Sequence, residues 1–564
     1  MTYDYIIVGG GSAGCVLANR LSVAGGRSVL LIEAGPDTPP DNVPDIIYDS
    51  YPSLAYFDPR FHWRELRVCH EGYREGGTPL KLRKFEQAKV MGGGSSINGQ
   101  FALRGLPSDF EEWRRLGLEG WSFAEVLPYF RKLERDTDFE GPAHGREGRI
   151  PIRRVFEDGW PGFTTAVHEA LKSEGYAVKY DLNADFGDGC FPMPVSNQYD
   201  RRVSTAIGYL DAATRRRPNL RILSDSLVTG LLLDGRKVTG VRATLPGGME
   251  QRFEGGEIIL AAGAAHSPAL LMRAGMGPAD HLKSVGIAVV ADLSGVGGNL
   301  LEHPSISVAM HLKPSARLPR GRRRHIFMGL RYSSNLEDCP QGDMFLLPVN
   351  RAGWHPLGAR MGTFVLTVHK SYSQGLLRLR SASAADEPIV AMNLASDPRD
   401  HRRLMDGMRF MQRILAQPSL QQAIDFWFPA GYNDRVRALA VPSLRNWLAT
   451  GAAAQLIELG GWTRDLVYRH KLNPTIDCDR LARDDDYLTQ WIGDNVWPSW
   501  HISGTCRMGR RDDPAAVVDA QCRIRGMEGL RVVDASVMPT IVSANTNLTT
   551  IMIAEKIAAE ILAQ

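Results

Sequence analysis

Three glycines and one glutamate near the start of the chain are the residues whose types and spacing first indicate a chemistry. Gly9, Gly11 and Gly14 lie in the stretch GGGSAG, and Glu33 follows a second apolar run. This glycine spacing allows a tight turn, close approach of a pyrophosphate to the backbone, and close packing of a helix on a strand. Glu33 can accept hydrogen bonds from both ribose hydroxyls and would repel a 2′-phosphate. The pattern predicts a dinucleotide site that disfavours NADP.

The flanking residues supply the elements that such a site needs. Tyr5 to Val8 is a short apolar run typical of a buried strand. Val16, Leu17 and Leu21 follow at helical spacing, and SVLLIEAG then predicts a second strand that ends at Glu33. Strand, helix, strand and acid in this order favour a nucleotide-binding unit over an ordinary strand–turn–helix.

Length and composition exclude several classes of protein. A chain of 564 residues is too long for one ordinary core, so we expect two domains. The 66 Lys and Arg residues nearly balance the 63 Asp and Glu residues, which gives no indication of nucleic-acid or membrane-surface binding. The basic run RLPRGRRRH at 317–325 predicts a solvated loop, with an anion-binding loop as the weaker alternative.

Cysteine usage and the chain start favour a cytoplasmic protein. The seven cysteines are scattered without a Cys-x-x-Cys pair, which predicts no disulfide framework and a reducing compartment. The first predicted strand begins almost at once, leaving no room for a signal peptide, and no apolar stretch has transmembrane length. We therefore expect no integral membrane association, and no metal site is predicted.

Further segments carry a family resemblance. They are AKVMGGGSSINGQFALRG at 88–105, GAAHSPALLMRAGMGP at 263–278, GVGGNLLEH, NLASDPRD, and a C-terminal block that begins WHISGTCRMG. In this order they resemble the glucose–methanol–choline family of flavin oxidoreductases over essentially the whole chain. The second segment departs at Ala274, where serine is usual. DTPPDNVP, RGLPSDFEEW, LERDTDF and SWHISGTCRMG are most similar to members that oxidise furanic and aryl primary alcohols.

The resemblance implies FAD as the cofactor. It implies that the adenosine end and pyrophosphate contact an N-terminal group of residues, Gly9, Gly11, Ser12, Ala13, Gly14, Glu33 and Ala34. It implies that a glycine-rich loop borders the pyrophosphate and the isoalloxazine ring; the loop positions are Gly92, Gly94, Asn98, Gly99, Gln100 and Phe101. It also implies that the backbone of Val228 meets the adenine and that a late segment with Asp534, Ala535 and Thr546 closes on the ribityl chain. Some relatives tether FAD through a histidine where this chain has Ile97, so we expect non-covalent FAD.

The resemblance also implies the catalytic residues. His501 matches the family's base, and histidine suits removal of a hydroxyl proton near neutral pH. Asn545 matches the partner position, where an amide can donate to a developing alkoxide. Trp500 is interpreted as bordering the flavin and the substrate, with plain packing as the alternative. Asn547 is interpreted as structural, and the other thirteen of the fourteen histidines are interpreted as surface or packing residues. Ser499 stands where some oxidases of the family carry valine, which leaves oxidase behaviour open.

The expected fold class is α/β, or α+β overall. A Rossmann-like FAD-binding domain is expected over 1–150, 201–303 and 494–564. A substrate-binding cap, built on an antiparallel sheet flanked by helices, is expected over 151–200 and 304–493. Alternating apolar residues in GTFVLTVHKSYSQGLLRLR predict part of that sheet. The helical-looking stretch 418–493 predicts either a cap on the pocket or a subunit contact.

The expected function is oxidation of a primary alcohol, aromatic or furanic, to the aldehyde, with onward oxidation to the acid through the hydrate. A small-molecule alcohol and either O₂ or an electron carrier are then the partners. Two alternatives stay open: a dehydrogenase that passes electrons to a quinone or other carrier, and a non-redox activity of the hydroxynitrile lyase type. The exact alcohol and the oligomeric state are not predicted.

Overall fold

Two large sheets organise the chain. The computed structural model describes residues 2–23, 25–73, 81–460, 462–463 and 477–564. The first sheet is mainly parallel and the second is antiparallel, and each has its own apolar core. This arrangement confirms the predicted fold class. The exact domain boundaries stay a prediction.

The mainly parallel sheet begins with the predicted nucleotide-binding unit. In spatial order its strands are Leu220–Leu223, Val29–Ile32, Thr2–Val8, Glu250–Leu260, Lys237–Thr244 and Leu227–Asp234, and Leu530–Val532 pairs beside the end of Glu250–Leu260. Val8 is level with both Ile32 and Leu260. The strands therefore end together, so that Gly9, Glu33 and Ala261 emerge at one edge, where ligands of open α/β sheets bind.

Two apolar helices cover this sheet. Helix Ser12–Leu21 follows the glycine turn, and helix Thr546–Leu562 lies against it. Nearly every residue of the second helix is buried, including Ile551, Ile553 and Ile557. A helix that is apolar on most sides fits such a position between other elements. The packing brings the starts of the two helices close together.

The antiparallel sheet confirms the expectation for the second part of the chain. In spatial order its strands are Ile424–Ala430, Pro304–Leu312, Met361–Val368, Met344–Val349, Met328–Tyr332 and Gly189–Pro192, and Trp497–Pro498 pairs with Pro304 and Ser305. Strand Pro304–Leu312 is buried at every residue. Its first residues directly follow Glu302 and His303, so this central strand positions those two side chains.

The remaining elements are short strands and further α-helices. Further strands are Arg67–Cys69, Arg83–Lys84, Glu134–Asp136, Ile150–Arg153, Val195–Gln198, Arg201–Arg202, Met276–Gly277, Ala291–Asp292, Leu376–Arg378 and Ile389–Ala391. Further α-helices are Asp45–Tyr48, Ser53–Tyr56, Pro107–Arg115, Phe123–Leu133, Gly162–Ser173, Thr205–Tyr209, Ala212–Arg215, Gly263–Arg273, Ala279–Ser284, Pro398–Leu415, Pro418–Ala423, Asp434–Ala440, Leu444–Glu458, Cys478–Arg483 and Asp485–Asn495. Within the described ranges, no helix combines the length and the apolarity needed to cross a membrane.

The 418–493 stretch contacts Trp500, a residue that lines the cavity described below. Its strand Ile424–Ala430 extends the antiparallel sheet, and the following turn places Tyr432 against Trp500. Residues 461 and 464–476 lie outside the described part of the chain. Both interpretations of this stretch, a cap on the pocket and a subunit contact, stay predictions.

The basic run at 317–325 departs from the solvated-loop prediction. Arg324 and His325 are buried, and Arg317 pairs with Glu458 at 2.7 Å. Packing against neighbouring elements has withdrawn part of this loop from solvent, which the run of charges alone could not indicate.

Candidate active site

A cavity of about 380 Å³ opens at the carboxyl edge of the parallel sheet. It is lined by most of the residues that the sequence predicted: Gly9, Gly11, Ser12, Ala13, Glu33, Ala34, Gly94, Asn98, Gly99, Phe101, Val228, Trp500, His501, Asp534, Ala535, Asn545 and Thr546. These residues come from both ends and the middle of the chain. One cavity thus joins the predicted cofactor residues to the predicted catalytic residues.

Two helix starts point into the cavity without side-chain caps. Helix Ser12–Leu21 has Gly11 at its N-cap, and helix Thr546–Leu562 has Asn545 there; neither cap side chain bonds the helix, and neither first turn is acidic. Ser12 Oγ donates to Asn547 Oδ1 at 2.8 Å and ties the two starts together. Free backbone N–H groups and the positive ends of two helix dipoles suit an anionic pyrophosphate. The bond also supports the structural interpretation of Asn547.

The fingerprint glycines act through space and backbone conformation. Gly9 has a φ of +102°, and a Cβ there would lie 2.5 Å from the carbonyl oxygen of Ala261. A Cβ on Gly14 would lie 1.8 Å from the carbonyl oxygen of Gly9. Gly14 is behind the cavity lining, where it lets the helix pack closely on the turn. A Cβ on Gly94, by contrast, would meet nothing within 4 Å.

Glu33 is fixed by the backbone before any ligand binds. Its Oε2 accepts from the N–H of Gly10 at 2.7 Å and its Oε1 accepts from the N–H of Gly35 at 2.8 Å. Burial raises the pKa of Glu33, and these two N–H donors act in the opposite direction. Each carboxylate oxygen keeps a second lone pair, so the position still fits a ribose diol.

A flat pocket near Glu33 was missed by sequence reasoning. The His266 ring stacks on the Trp63 ring at 4.1 Å, and His266 Nε2 lies 2.9 Å from Glu387 Oε2. All three residues line the cavity, and Val228 lines it as predicted. Two stacked rings beside Glu33, the predicted ribose partner, present a flat surface that fits an adenine. The motif GAAHSP contains His266, but its partners lie far away in the sequence.

A buried arginine holds the 92–101 loop. Arg202 Nη1 donates to the Ser95 carbonyl at 3.1 Å and to Asn98 Oδ1 at 2.8 Å. Gly92 and Gln100 have φ values of +87° and +65° and lie behind the cavity lining, where they shape the loop. Burial lowers the pKa of Arg202 to about 9, which leaves it charged at neutral pH.

Ile97, at the tether position, packs away from the cavity. Its side chain belongs to an apolar cluster with Val43, Ile47 and Phe61. It neither lines the cavity nor carries a nucleophile. Both observations agree with the prediction of a dissociable cofactor.

The predicted catalytic pair is in contact. Asn545 Nδ2 lies 3.0 Å from His501 Nε2, and both side chains line the cavity. Burial lowers the pKa of His501 to about 4, so the imidazole is neutral at pH 7. A neutral imidazole beside an amide donor can accept a hydroxyl proton.

Two residues behind His501 were not predicted. His303 Nδ1 lies 2.8 Å from His501 Nδ1, and His303 Nε2 lies 3.1 Å from the carbonyl oxygen of Val542. Glu302 accepts from the N–H of His501 with both carboxylate oxygens at 2.8 Å. The interpretation of the other thirteen histidines as surface or packing residues did not anticipate the contact of His303 with His501. In the sequence, the only indication of these two residues was the family-like segment GVGGNLLEH, which ends in Glu302 and His303.

Trp500 sits inside a group of aromatic rings, here called the aromatic cage, that consists of Tyr56, Phe85, Tyr432 and Trp497. Their centroids lie 5.2, 6.1, 5.3 and 5.8 Å from that of Trp500, respectively. The backbone of Trp500 has a φ of +61°, an uncommon conformation for a bulky residue. Glu302, bonded to the next residue, helps to hold this turn. The cage therefore fixes a flat indole beside the catalytic pair.

Comparison with known proteins agrees with this geometry. Models of the GMC oxidoreductase family match residues 3–305 and 371–554. The chain is 42% identical to 5-(hydroxymethyl)furfural oxidase of Methylovorus sp., covering 100% of this chain and 99% of that one. It is 31% identical to oxygen-dependent choline dehydrogenase of Vibrio vulnificus, covering 99% and 94%.

Solved structures have the same fold. Pyridoxine 4-oxidase from Mesorbium loti superposes with a TM-score of 0.81 at 26% identity, over 100% of both chains. A fungal aryl-alcohol oxidase superposes with a TM-score of 0.75 at 20% identity, over 100% of this chain and 99% of that one, which supports the fold alone.

The fold and the site thus define a flavin-dependent oxidoreductase. The chain belongs to the GMC oxidoreductase family. It is an FAD-dependent enzyme that acts on CH–OH groups. Its uncapped helix starts, Glu33 and the Trp63–His266 pocket fit the pyrophosphate, ribose and adenine of FAD.

Proposed function

We propose that the enzyme oxidises an aromatic or furanic primary alcohol to the aldehyde, with His501 as the base and O₂ as the final electron acceptor. The observation that carries this proposal is the contact between His501 Nε2 and Asn545 Nδ2 within the cofactor cavity. A neutral histidine and an amide donor meet there beside a fixed aromatic ring.

His501 and Asn545 have different roles in this reaction. His501 Nε2 takes the hydroxyl proton, and Asn545 Nδ2 donates a hydrogen bond to the oxygen as negative charge develops on it. FAD, when bound, accepts the hydride that leaves the same carbon. The alcohol thereby loses one proton and one hydride and becomes an aldehyde. Both side chains are half-buried in the cavity wall, and the reduced contact with water there strengthens both interactions.

The aromatic cage supports a flat substrate. Trp500 lines the cavity next to His501 and is held by rings on several sides. An aryl or furanic carbinol can stack on such a surface, and its ring conjugates with the carbon that loses hydride. The hydrate of the aldehyde presents the same O–H and C–H pair, so a second oxidation to the acid follows the same route.

Ser499 is the residue that bears on the choice of acceptor. Its Oγ lies 2.7 Å from Ser305 Oγ, which in turn lies 2.8 Å from Thr367 Oγ1. Ser499 lines the cavity where some oxidases of the family carry valine. Because a polar serine replaces that valine, the dehydrogenase is the alternative to an oxidase, and the experiment below distinguishes the two.

The test is an alcohol panel with two readouts. A hydroxymethyl-arene, a hydroxymethylfuran, a medium-chain alkanol, choline and glucose are compared for anaerobic flavin bleaching and for peroxide release in air. Bleaching with peroxide supports the proposal. Bleaching without peroxide, but with turnover of an added quinone, indicates the dehydrogenase. Absence of bleaching by every alcohol indicates non-redox chemistry. A tenfold preference for choline or glucose, about 1.4 kcal/mol, refutes the aromatic assignment.

The non-covalent state of FAD is tested separately. Acid precipitation of the yellow holoenzyme is expected to leave all flavin in the supernatant, because Ile97 faces an apolar cluster. Flavin that remains with the washed precipitate contradicts this part of the proposal.

A further inference from the structure

Four residues form one continuous hydrogen-bond chain that begins and ends on the same segment. The Val542 carbonyl oxygen lies 3.1 Å from His303 Nε2, and His303 Nδ1 lies 2.8 Å from His501 Nδ1. His501 Nε2 then lies 3.0 Å from Asn545 Nδ2. The base is therefore bonded through both ring nitrogens.

The direction of this chain follows from its Val542 end. A carbonyl oxygen only accepts, so His303 Nε2 carries a proton and donates it to Val542. Burial, together with the neighbouring His501 and His369, lowers the pKa of His303 well below its usual value, so its ring is neutral. A neutral His303 with a proton on Nε2 has a lone pair on Nδ1.

The bond between the two histidines then has one possible polarity. Because His303 Nδ1 is an acceptor, the proton between the rings belongs to His501 Nδ1. The neutral His501 ring consequently carries its lone pair on Nε2, the nitrogen that faces the cavity and Asn545.

We propose that His303 is a positioning residue that holds His501 in the tautomer with an unprotonated Nε2. This inference rests on the proposed function, because an unprotonated Nε2 is what a base for the alcohol requires. His303 itself reaches the reacting atoms only through His501.

Asn545 cannot impose this tautomer by itself. Its amide presents either a donor or an acceptor after a simple flip, so it adapts to both tautomers of His501. Among the described residues, Asn545 Oδ1 is a buried atom without a hydrogen-bond partner. In the opposite tautomer that oxygen would accept from His501 Nε2–H, and Nε2 would then have no lone pair with which to accept the alcohol proton.

Glu302 supports the arrangement from the backbone. It accepts from the N–H of His303 at 2.8 Å and from the N–H of His501 at 2.8 Å. One side chain thus fixes the main chain of both histidines. The ring of His303 then needs only the Val542 carbonyl to set its own tautomer.

The direct test is ¹⁵N NMR of the oxidised FAD holoenzyme labelled at the histidine ring nitrogens. The signals of His501 and His303 are assigned by their loss in His501→Gln and His303→Leu. We expect a proton on Nδ1 of His501 and on Nε2 of His303. A proton on Nε2 of His501, or on Nδ1 of His303, in the wild-type enzyme overturns the proposal.

The variant His303→Leu tests the consequence. We expect the Nε2–H tautomer of His501 to become populated, and the rate constant of anaerobic flavin reduction at saturating alcohol to fall by about 10²-fold. The apparent Kd of the alcohol is expected to stay within about threefold, because His303 does not reach the cavity's substrate side. An unchanged His501 tautomer in this variant overturns the proposal.

Two further variants separate positioning from general damage. His303→Asn places an acceptor oxygen close to the original Nδ1, and we expect it to recover at least tenfold over His303→Leu at saturating alcohol. A rate no better than that of His303→Leu overturns the proposal.

His168→Leu is the matched control. It removes another buried histidine, one that packs on Trp160 and is outside the cavity lining. It is expected to keep wild-type reduction.

The tautomer readout also distinguishes this inference from the proposed function. If the alcohol panel shows no flavin reduction while His501 holds its proton on Nδ1, the proposed function fails and the role of His303 in setting the tautomer stands. If alcohols reduce the flavin but His501 carries its proton on Nε2, the proposed function stands and the role of His303 fails.

Discussion

The cofactor end and the catalytic end of the cavity are built in different ways. Apart from the Trp63–His266 stack, the cofactor end uses main-chain groups at the ends of neighbouring elements, such as the turn at Gly9 and the start of helix Ser12–Leu21. The catalytic end uses side chains from distant segments, such as His303, Trp500 and Asn545. Substitutions at the first end should therefore weaken FAD binding, and those at the second should slow the reaction while FAD stays bound.

The substitution His501→Ala tests this division with the largest expected effect. FAD should remain bound at one per chain, because His501 belongs to the catalytic end. The rate constant of anaerobic flavin reduction should fall by roughly 10²–10⁴-fold for the lost base, and misplacement of the alcohol adds to this loss. Stopped-flow absorbance measures it, and the absorbance spectrum before mixing reports the bound flavin. Reduction at near wild-type rate would remove His501 from the mechanism.

The substitution Gly14→Ala tests the cofactor end. The new Cβ would lie 1.8 Å from the Gly9 carbonyl oxygen, so the helix start must move away from the turn. Overpacking costs roughly 1–3 kcal/mol, which weakens FAD binding by up to about 100-fold. The Kd is measured by reconstituting the apoprotein with FAD and following flavin fluorescence.

A matched control is Gly493→Ala in helix Asp485–Asn495. A Cβ at that position would meet nothing within 4 Å, so we expect unchanged FAD affinity and a small gain in stability. If both alanine variants bind FAD equally well, the close packing at Gly14 is not what builds the cofactor end.

The same division explains what the sequence could predict. Gly9, Gly14 and Glu33 lie within one local strand–turn–helix–strand unit, where spacing alone implies geometry. The family resemblance added His501 and Asn545 by position. The partners of His303, Trp63 and Trp500 come from segments far apart in the chain, and only tertiary packing determines which of them meet. A single sequence contains no spacing rule for such contacts.

The pH dependence sharpens the description of the catalytic end. Burial lowers the pKa of His501 to about 4, so its neutral, proton-accepting form persists down to about that pH. With a pKa of 6.5 the neutral fraction at pH 5 would be about 30-fold smaller than at high pH, whereas here it should change little. We expect kcat/KM to fall only as the pH approaches 4. An acid limb centred near pH 6.5 in the wild-type profile would contradict a buried, neutral base.

The smallest expected effect concerns Tyr432, which connects the 418–493 stretch to the catalytic end. Its ring lies 5.3 Å from that of Trp500 in a T-shaped arrangement, and its hydroxyl lies 3.4 Å from that of Tyr56. Arg437 lies over the Tyr432 ring and pairs with Glu86 at 3.2 Å, so this stretch is anchored on Tyr56 and Glu86. Aromatic pairs of this kind contribute about 0.5–1.5 kcal/mol beyond burial.

The substitution Tyr432→Leu should therefore lower kcat/KM for a hydroxymethyl-arene by about two- to tenfold. FAD affinity should not change, because Tyr432 acts on Trp500 at the catalytic end. Tyr432→Phe is the control: it keeps the ring against Trp500 and removes only the hydroxyl, so its kcat/KM should stay within about twofold of wild type.

Steady-state kinetics of Tyr432→Leu should be measured with both the arene and an alkanol. If Tyr432 positions the Trp500 indole, kcat/KM for the flat arene should fall more than kcat/KM for the alkanol. An equal loss for both alcohols would mean that Tyr432 supports the cap as a whole and does not position Trp500. Weaker FAD binding in Tyr432→Leu would mean that the two ends of the cavity are coupled through this residue, against the division drawn above.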